Sequence, residues 1–223
     1  MLAIPLFILF GVLIAIAAVR SSKRREERRV ARQEFVASSG MREVPSRAER
    51  RERWNELVTT DYFETGADGV RWMAIDDEQS GQTVAITLVE HAWTHSEPDG
   101  GDDTYVHTLA CTTSVRGLPL MHVRDRSMRA LGAKGDPDIF ASGDAALDQR
   151  CVVRAIDQAK ARAILTPTVR AWLTNMPHKS GCLLSDRGIT LYTRGHCSPR
   201  ELDDLAQRVR ELVRVIASAG ATG

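Results

Sequence analysis

SPRELDDLAQRVRELVRVI, residues 198 to 216, is the stretch that decides the fold. Ser198, Pro199 and Glu201 supply a helix N-cap, a proline at the first helical position and the acid that reaches back to the cap. Behind them Leu202, Leu205, Ala206, Val209, Leu212, Val213 and Ile216 recur at three- and four-residue steps, one apolar stripe on an otherwise charged helix. The segments before it read as strands, so the stripe is expected to lie on a sheet. Asp203 and Asp204 sit in the first turn, where they complement the helix dipole, and catalysis is not needed to explain them.

Working back, residues 182 to 194 (CLLSDRGITLYTR) read as a hairpin turning at Asp186, Arg187 and Gly188. Asp157 caps a helix through KARAIL, and Thr166-Pro167 starts another that carries Val169, Trp172 and Leu173. RCVVRA, residues 150 to 155, is a short strand, and residues 134 to 143 are loop. Nearer the N-terminus, VRWMAIDD (70 to 77) and QTVAITLVEHAWT (82 to 94) are β-rich runs joined by a Ser80-Gly81 turn. SEPDGGDD then separates HAWT from TYVHTLACTTSV, so residues 82 to 115 are expected to form a long hairpin. Residues 118 to 123 make a further strand and SMRAL, from Ser127, a short helix. The fold class is α+β: a transmembrane helix, then a mostly antiparallel sheet packed by a long amphipathic C-terminal helix. A pleckstrin-like barrel is a compatible analogy.

The transmembrane reading comes from residues 1 to 19, MLAIPLFILFGVLIAIAAV, which hold no charge. As a helix they reach ~28 Å, close to the ~30 Å hydrocarbon core. Pro5 falls in the first turn and Gly11 is tolerated in membrane helices. A cleaved signal peptide would want basic residues before the apolar run, yet they follow it, although Ala15, Ala17 and Ala18 could serve a peptidase. A buried core helix would show a polar stripe, and there is none. Arg20, Lys23, Arg24, Arg25, Arg28 and Arg29, with Arg32, lie within the window in which basic residues hold a segment in the cytoplasm. The expectation is a single-pass cell-membrane protein with its N-terminus outside and its C-terminal domain cytoplasmic.

Charge divides along the chain. Residues 1 to 53 hold twelve Arg plus Lys against six Glu, a net +6, which leaves −5 for the remainder. Positive charge sits beside the anchor rather than on the domain, which favours anionic lipid head groups over nucleic acid. The domains are therefore read as an anchor at 1–19, a basic juxtamembrane helical linker at 20–53, a soluble α+β domain at 54–218 and a disordered tail at 219–223. Ser38, Ser39 and Gly40 break the helix that continues from the anchor. Ser46 and Glu49 open a second as a capping box, with Trp54, Leu57 and Val58 as its apolar end. Cys111, Cys151, Cys182 and Cys197 show no CxxC pairing and read as reduced, mostly buried thiols.

RCVVRAIDQAKARAILTPTVRAWL, residues 150 to 173, with the hairpin and terminal helix after it, resembles a group of uncharacterised actinobacterial proteins. Those look like an N-terminal membrane helix followed by one domain of unknown function. The resemblance implies an architecture of anchor plus one α+β domain and carries over no functional residue. Cys151 departs from the larger residue that the group would have there.

The residues with chemistry to offer are few. His91 and His95 have the spacing that chelates a metal on a helix, but on a strand ~13 Å separates them. Across the hairpin, His91 faces His107 and Trp93 faces Tyr105 if the loop centres near Asp99. Those two histidines with Glu90 or Asp102 are the metal candidates, although Glu90 points to the other face. Surface histidines are the plainer explanation. His196-Cys197, at a helix start, suggests an activated thiolate, without an identifiable third group to orient the histidine. No GxSxG, GxxxxGK[ST], GxGxxG or HExxH occurs, and no cofactor is implied. The domain is thus expected to bind a protein partner or lipid head groups at the membrane rather than to catalyse. A small metal-dependent or hydrolytic enzyme using the hairpin histidines is the alternative.

Overall fold

The fold is that of a computed structural model describing residues 3–57, 66–76, 84–96, 102–128 and 139–220, with the side chains of 3–13, 66, 93–96, 102–103 and 220 excepted. Its helices are α1 (Ala3–Ser39), α2 (Arg47–Leu57), α3 (Ala145–Arg150), α4 (Gln158–Ile164), α5 (Pro167–Thr174) and α6 (Pro199–Gly220). Its strands are β1 (Arg42–Glu43), β2 (Val70–Ile75), β3 (Thr87–Ser96), β4 (Asp102–Thr112), β5 (Met121–Asp125), β6 (Cys151–Ala155), β7 (Ser180–Ser185) and β8 (Gly188–Arg194).

The strands form one sheet in the order β1-β2-β3-β4-β8-β7-β5-β6, antiparallel throughout. The order does not follow the chain: the late hairpin β7-β8 enters between β4 and β5. Gly188, at its turn, has φ +150° and lies against the Thr112 carbonyl, where any Cβ would collide. The sheet stays open, with β1 and β6 at its edges, so the barrel analogy does not hold. The β3-β4 register brings His91 opposite His107 and Trp93 opposite Tyr105, as the turn composition suggests.

Each face of the sheet has its own cover. On one, α6 buries Leu202, Leu205, Ala206, Val209, Leu212, Val213 and Ile216 over Ala110, Leu184 and Leu191. Each of the Leu, Val and Ile side chains contributes about 1.5–3 kcal/mol of transfer free energy before the entropy of ordering is counted. On the other face Trp54 and Leu57 of α2 pack with Val44, Met73, Leu109 and Tyr192. The caps form as read: Asp157 accepts from Lys160 N–H, Thr166 from Val169 N–H, and Ser198 and Glu201 bond reciprocally.

Several boundaries differ from expectation. Phe35, Met41 and Val44 are buried and β1 pairs with β2, so the packed body reaches back well before residue 54. The upstream strand is not 118 to 123 but Met121–Asp125, since Asp125 still pairs with Cys151. α3, capped by Asp144, was not legible as a helix. α6 continues to Gly220 with Ala219 packed on the core, so helix replaces the first residues of the expected tail. The Ser80-Gly81 turn, the hairpin tip at Asp99, most of the SMRAL helix and the tail from 221 lie outside the described residues.

α1 is one helix of 37 residues, ended by Gly40 at φ +72°. Among the described side chains, which begin at Ile14 in this helix, no helix is long and apolar enough to cross a membrane. The side chains of residues 1 to 13, most of the apolar run, lie outside that description.

Candidate functional site

The hairpin histidines lie on the α2 face and are buried, not on the surface as the sequence suggests: His91 is 0% and His107 3% exposed. Trp54 stacks on His91 with centroids 4.6 Å apart and planes 13° apart. His107 meets the edge of Tyr192 at 5.9 Å, and Tyr192 in turn bonds His122 Nε2 at 2.5 Å. Burial, then the neighbouring His91 and Arg194, lowers the His107 pKa to about 4. Burial, then Arg124 and Arg154, takes His122 to about 3. Both imidazoles are neutral near pH 7. Glu90 is on the opposite face, and among the described residues no group of three or more His, Cys, Asp or Glu is placed to hold a metal. The arrangement of Trp54, His91, His107 and Tyr192 is that of aromatic packing.

Glu90 instead organises a second cluster, which local sequence patterns did not reveal. Its carboxylate, 8% exposed, lies 2.5 Å from Arg32 Nη2 and 2.6 Å from His196 Nδ1. His196 Nε2 meets Arg28, whose guanidinium can only donate. The His196 ring thus stands between an arginine and a carboxylate, one nitrogen toward each. Burial raises the Glu90 pKa, but the hydrogen bond from His196 and the charge of Arg32 outweigh it and hold the carboxyl below its ordinary range. Arg32 also lies 5.6 Å from the Trp72 ring centroid. Two arginines one turn apart on α1 thus close on a carboxylate of β3 through a histidine from the β8-α6 connection.

Glu90 is the orienting group for His196 that sequence reasoning lacked, because 106 residues separate them. The thiol beside it is not activated. Burial first, and then Glu201 and Glu90, raise the Cys197 pKa against the hydroxyl of Thr108. Cys111 is pushed up to about 12 by burial, and all four cysteines are free.

Of the basic residues read as membrane-facing, Arg20, Lys23, Arg24, Arg25 and Arg29 are exposed and Arg28 is half-buried. Arg29 pairs with Glu26 and Lys23 lies 4.0 Å from Glu27, contacts that support the exposed helix.

Fold and site together define an α+β domain whose open antiparallel sheet is clamped to a long N-terminal helix. Among solved structures, the crystal structure of the mycobacterial trehalose monomycolate transport factor A, TtfA, is similar, with a TM-score of 0.55 at 12% identity over 83% of this chain and 93% of that one. At that identity the likeness is one of fold, and its actinobacterial source agrees with the resemblance drawn at residues 150 to 173. No family model matches the chain, and no curated protein matches it in sequence.

Proposed function

We propose that this chain is a single-pass membrane protein whose domain is held at a fixed height on the cytoplasmic face, where it binds a protein partner in the same membrane. The observation that carries this reading is the continuity of α1. One helix leads out of the apolar run, passes through the basic segment and enters the packed body at Phe35, with Arg28 and Arg32 engaged on the sheet. A flexible linker would let the domain wander; a helix with an ion pair and a buried aromatic at its root presents one surface in one orientation. Confinement in two dimensions raises effective concentration, so a modest interface suffices. TtfA, named a transport factor, has this fold, and an accessory role beside a membrane transport system is the kind of work we propose. Since fold alone does not carry function, the reading rests on α1.

The test is topological. In a Cys197→Ser background, a cysteine introduced at exposed Ala217 should escape a membrane-impermeant thiol reagent in intact cells and react after permeabilisation. Labelling in intact cells would reverse the orientation, and release of the chain by alkaline carbonate would remove the anchor.

A further inference from the structure

A groove of about 560 Å³ separates α1 from the start of α6, lined by Arg24, Glu27, Arg28, Glu90, His196 and Glu201 among others. We propose that it binds the phosphate of an anionic phospholipid head group, with Arg24 as the primary contact. The proposal deepens the membrane reading and rests on residues 1 to 19 being the anchor.

Every carboxylate in the groove is already engaged: Glu90 by Arg32 and His196, Glu201 by the N–H of Ser198, Glu27 by Lys23. Arg24 differs. Among the described residues its guanidinium has no hydrogen-bond or ion-pair partner, while its carbonyl accepts from Arg28 Nε at 3.0 Å. The groove therefore presents an uncommitted planar cation, and phosphate is the anion that such a fork binds in bidentate fashion. Its volume falls in the range of small-ligand sites, roughly 300–1,000 Å³.

Arg24 is five residues beyond Val19, about 7.5 Å along the axis, and the head-group layer extends about 5–8 Å beyond the hydrocarbon. Helical side chains lean toward the N-terminus, here toward the lipid, so Arg24 reaches back into that layer. A phosphate at this level belongs to a lipid already in the membrane, which need only slide sideways into the groove.

The test uses the full chain, which also separates the two readings. Native mass spectrometry from micelles holding phosphatidylglycerol and phosphatidylcholine in equal parts should show one phosphatidylglycerol retained preferentially. Arg24→Gln should reduce that preference at least about tenfold, as expected for one lost charge-assisted contact. Arg25→Gln removes the same charge at nearly the same depth but about 100° around the helix, and should leave the preference within about twofold. Arg24 has no side-chain partner to lose, so an unchanged melting temperature verifies the fold. Equal loss in both variants would overturn the groove in favour of a diffuse basic collar, and displacement of the lipid by millimolar glycerol phosphate would overturn the lipid source. A chain that stays in the membrane through carbonate washing but shows no lipid preference refutes the groove alone; a chain that washes out refutes the anchor.

Discussion

Arg32 of α1 lies 2.5 Å from the carboxylate of Glu90 on β3, and that contact joins the helix leaving the apolar run to the sheet. Glu90 is buried while Arg32 is about a quarter exposed, so removing the carboxylate costs less than the about 3–5 kcal/mol of a fully buried pair. Glu90→Gln keeps the shape and removes the charge, and His196 loses its anionic acceptor with it. The variant is expected to unfold about 1–3 kcal/mol more easily. Amide exchange over residues 28 to 39 should accelerate more than exchange in β7 and β8, as monitored by mass spectrometry. Because the Glu90 pKa is depressed in the folded chain, its stabilisation is complete above about pH 4.5 and is lost as pH falls through the lower folded value. The acid limb of the wild-type stability curve should therefore be steeper than that of Glu90→Gln.

A second acid dependence, at higher pH, comes from the buried imidazoles. His107 and His122 have folded pKa values of about 4 and about 3 against an ordinary 6.5. The unfolded chain binds these protons first. Folding stability should hold above pH 6.5 and decline by about 1.4 kcal/mol per pH unit for each histidine between pH 6.5 and the folded values. Urea midpoints measured from pH 7.5 to 4.5 should show this slope, and His107→Leu should remove about half of it. A flat profile down to pH 5 would mean that the histidines are hydrated, not buried.

Tyr192 lies across Gly181 of the adjacent strand, and a Cβ built there would run into its ring and hydroxyl. Gly181→Ala must push the ring away from His122 and His107. Overpacking of this kind costs about 1–3 kcal/mol. Calorimetry of Gly181→Ala beside Gly181→Ala/Tyr192→Leu should show the second change recovering part of the loss.

What the sequence yields here follows the range of the forces involved. Ser198, Pro199 and Glu201 announce α6 and Asp157 and Thr166 announce α4 and α5, because caps are local chemistry. The His91 and His107 register was readable because the turn fixes it over sixteen residues. Their burial was not, since it depends on Trp54 closing over His91 from a helix far upstream. The pairing of β4 with β8 and the Glu90–His196 contact join segments some 80 to 106 residues apart, and no periodicity encodes such distances. Residues 35 to 44 read as linker because Ser38, Ser39 and Gly40 interrupt the helix and no single period joins the apolar residues on either side. Phe35, Met41 and Val44 are nonetheless spaced so that each reaches the core.

The proposed function requires α1 to be a rigid stalk, and a distance distribution tests this most directly. Spin labels at Ser21→Cys and Ala217→Cys, both exposed, in a Cys197→Ser background of the full chain in lipid vesicles, report the position of the helix relative to the domain. Double electron–electron resonance should give one narrow distribution, broadened in Arg32→Met. A broad distribution in the unaltered junction would contradict the account, because the domain would then be tethered rather than held.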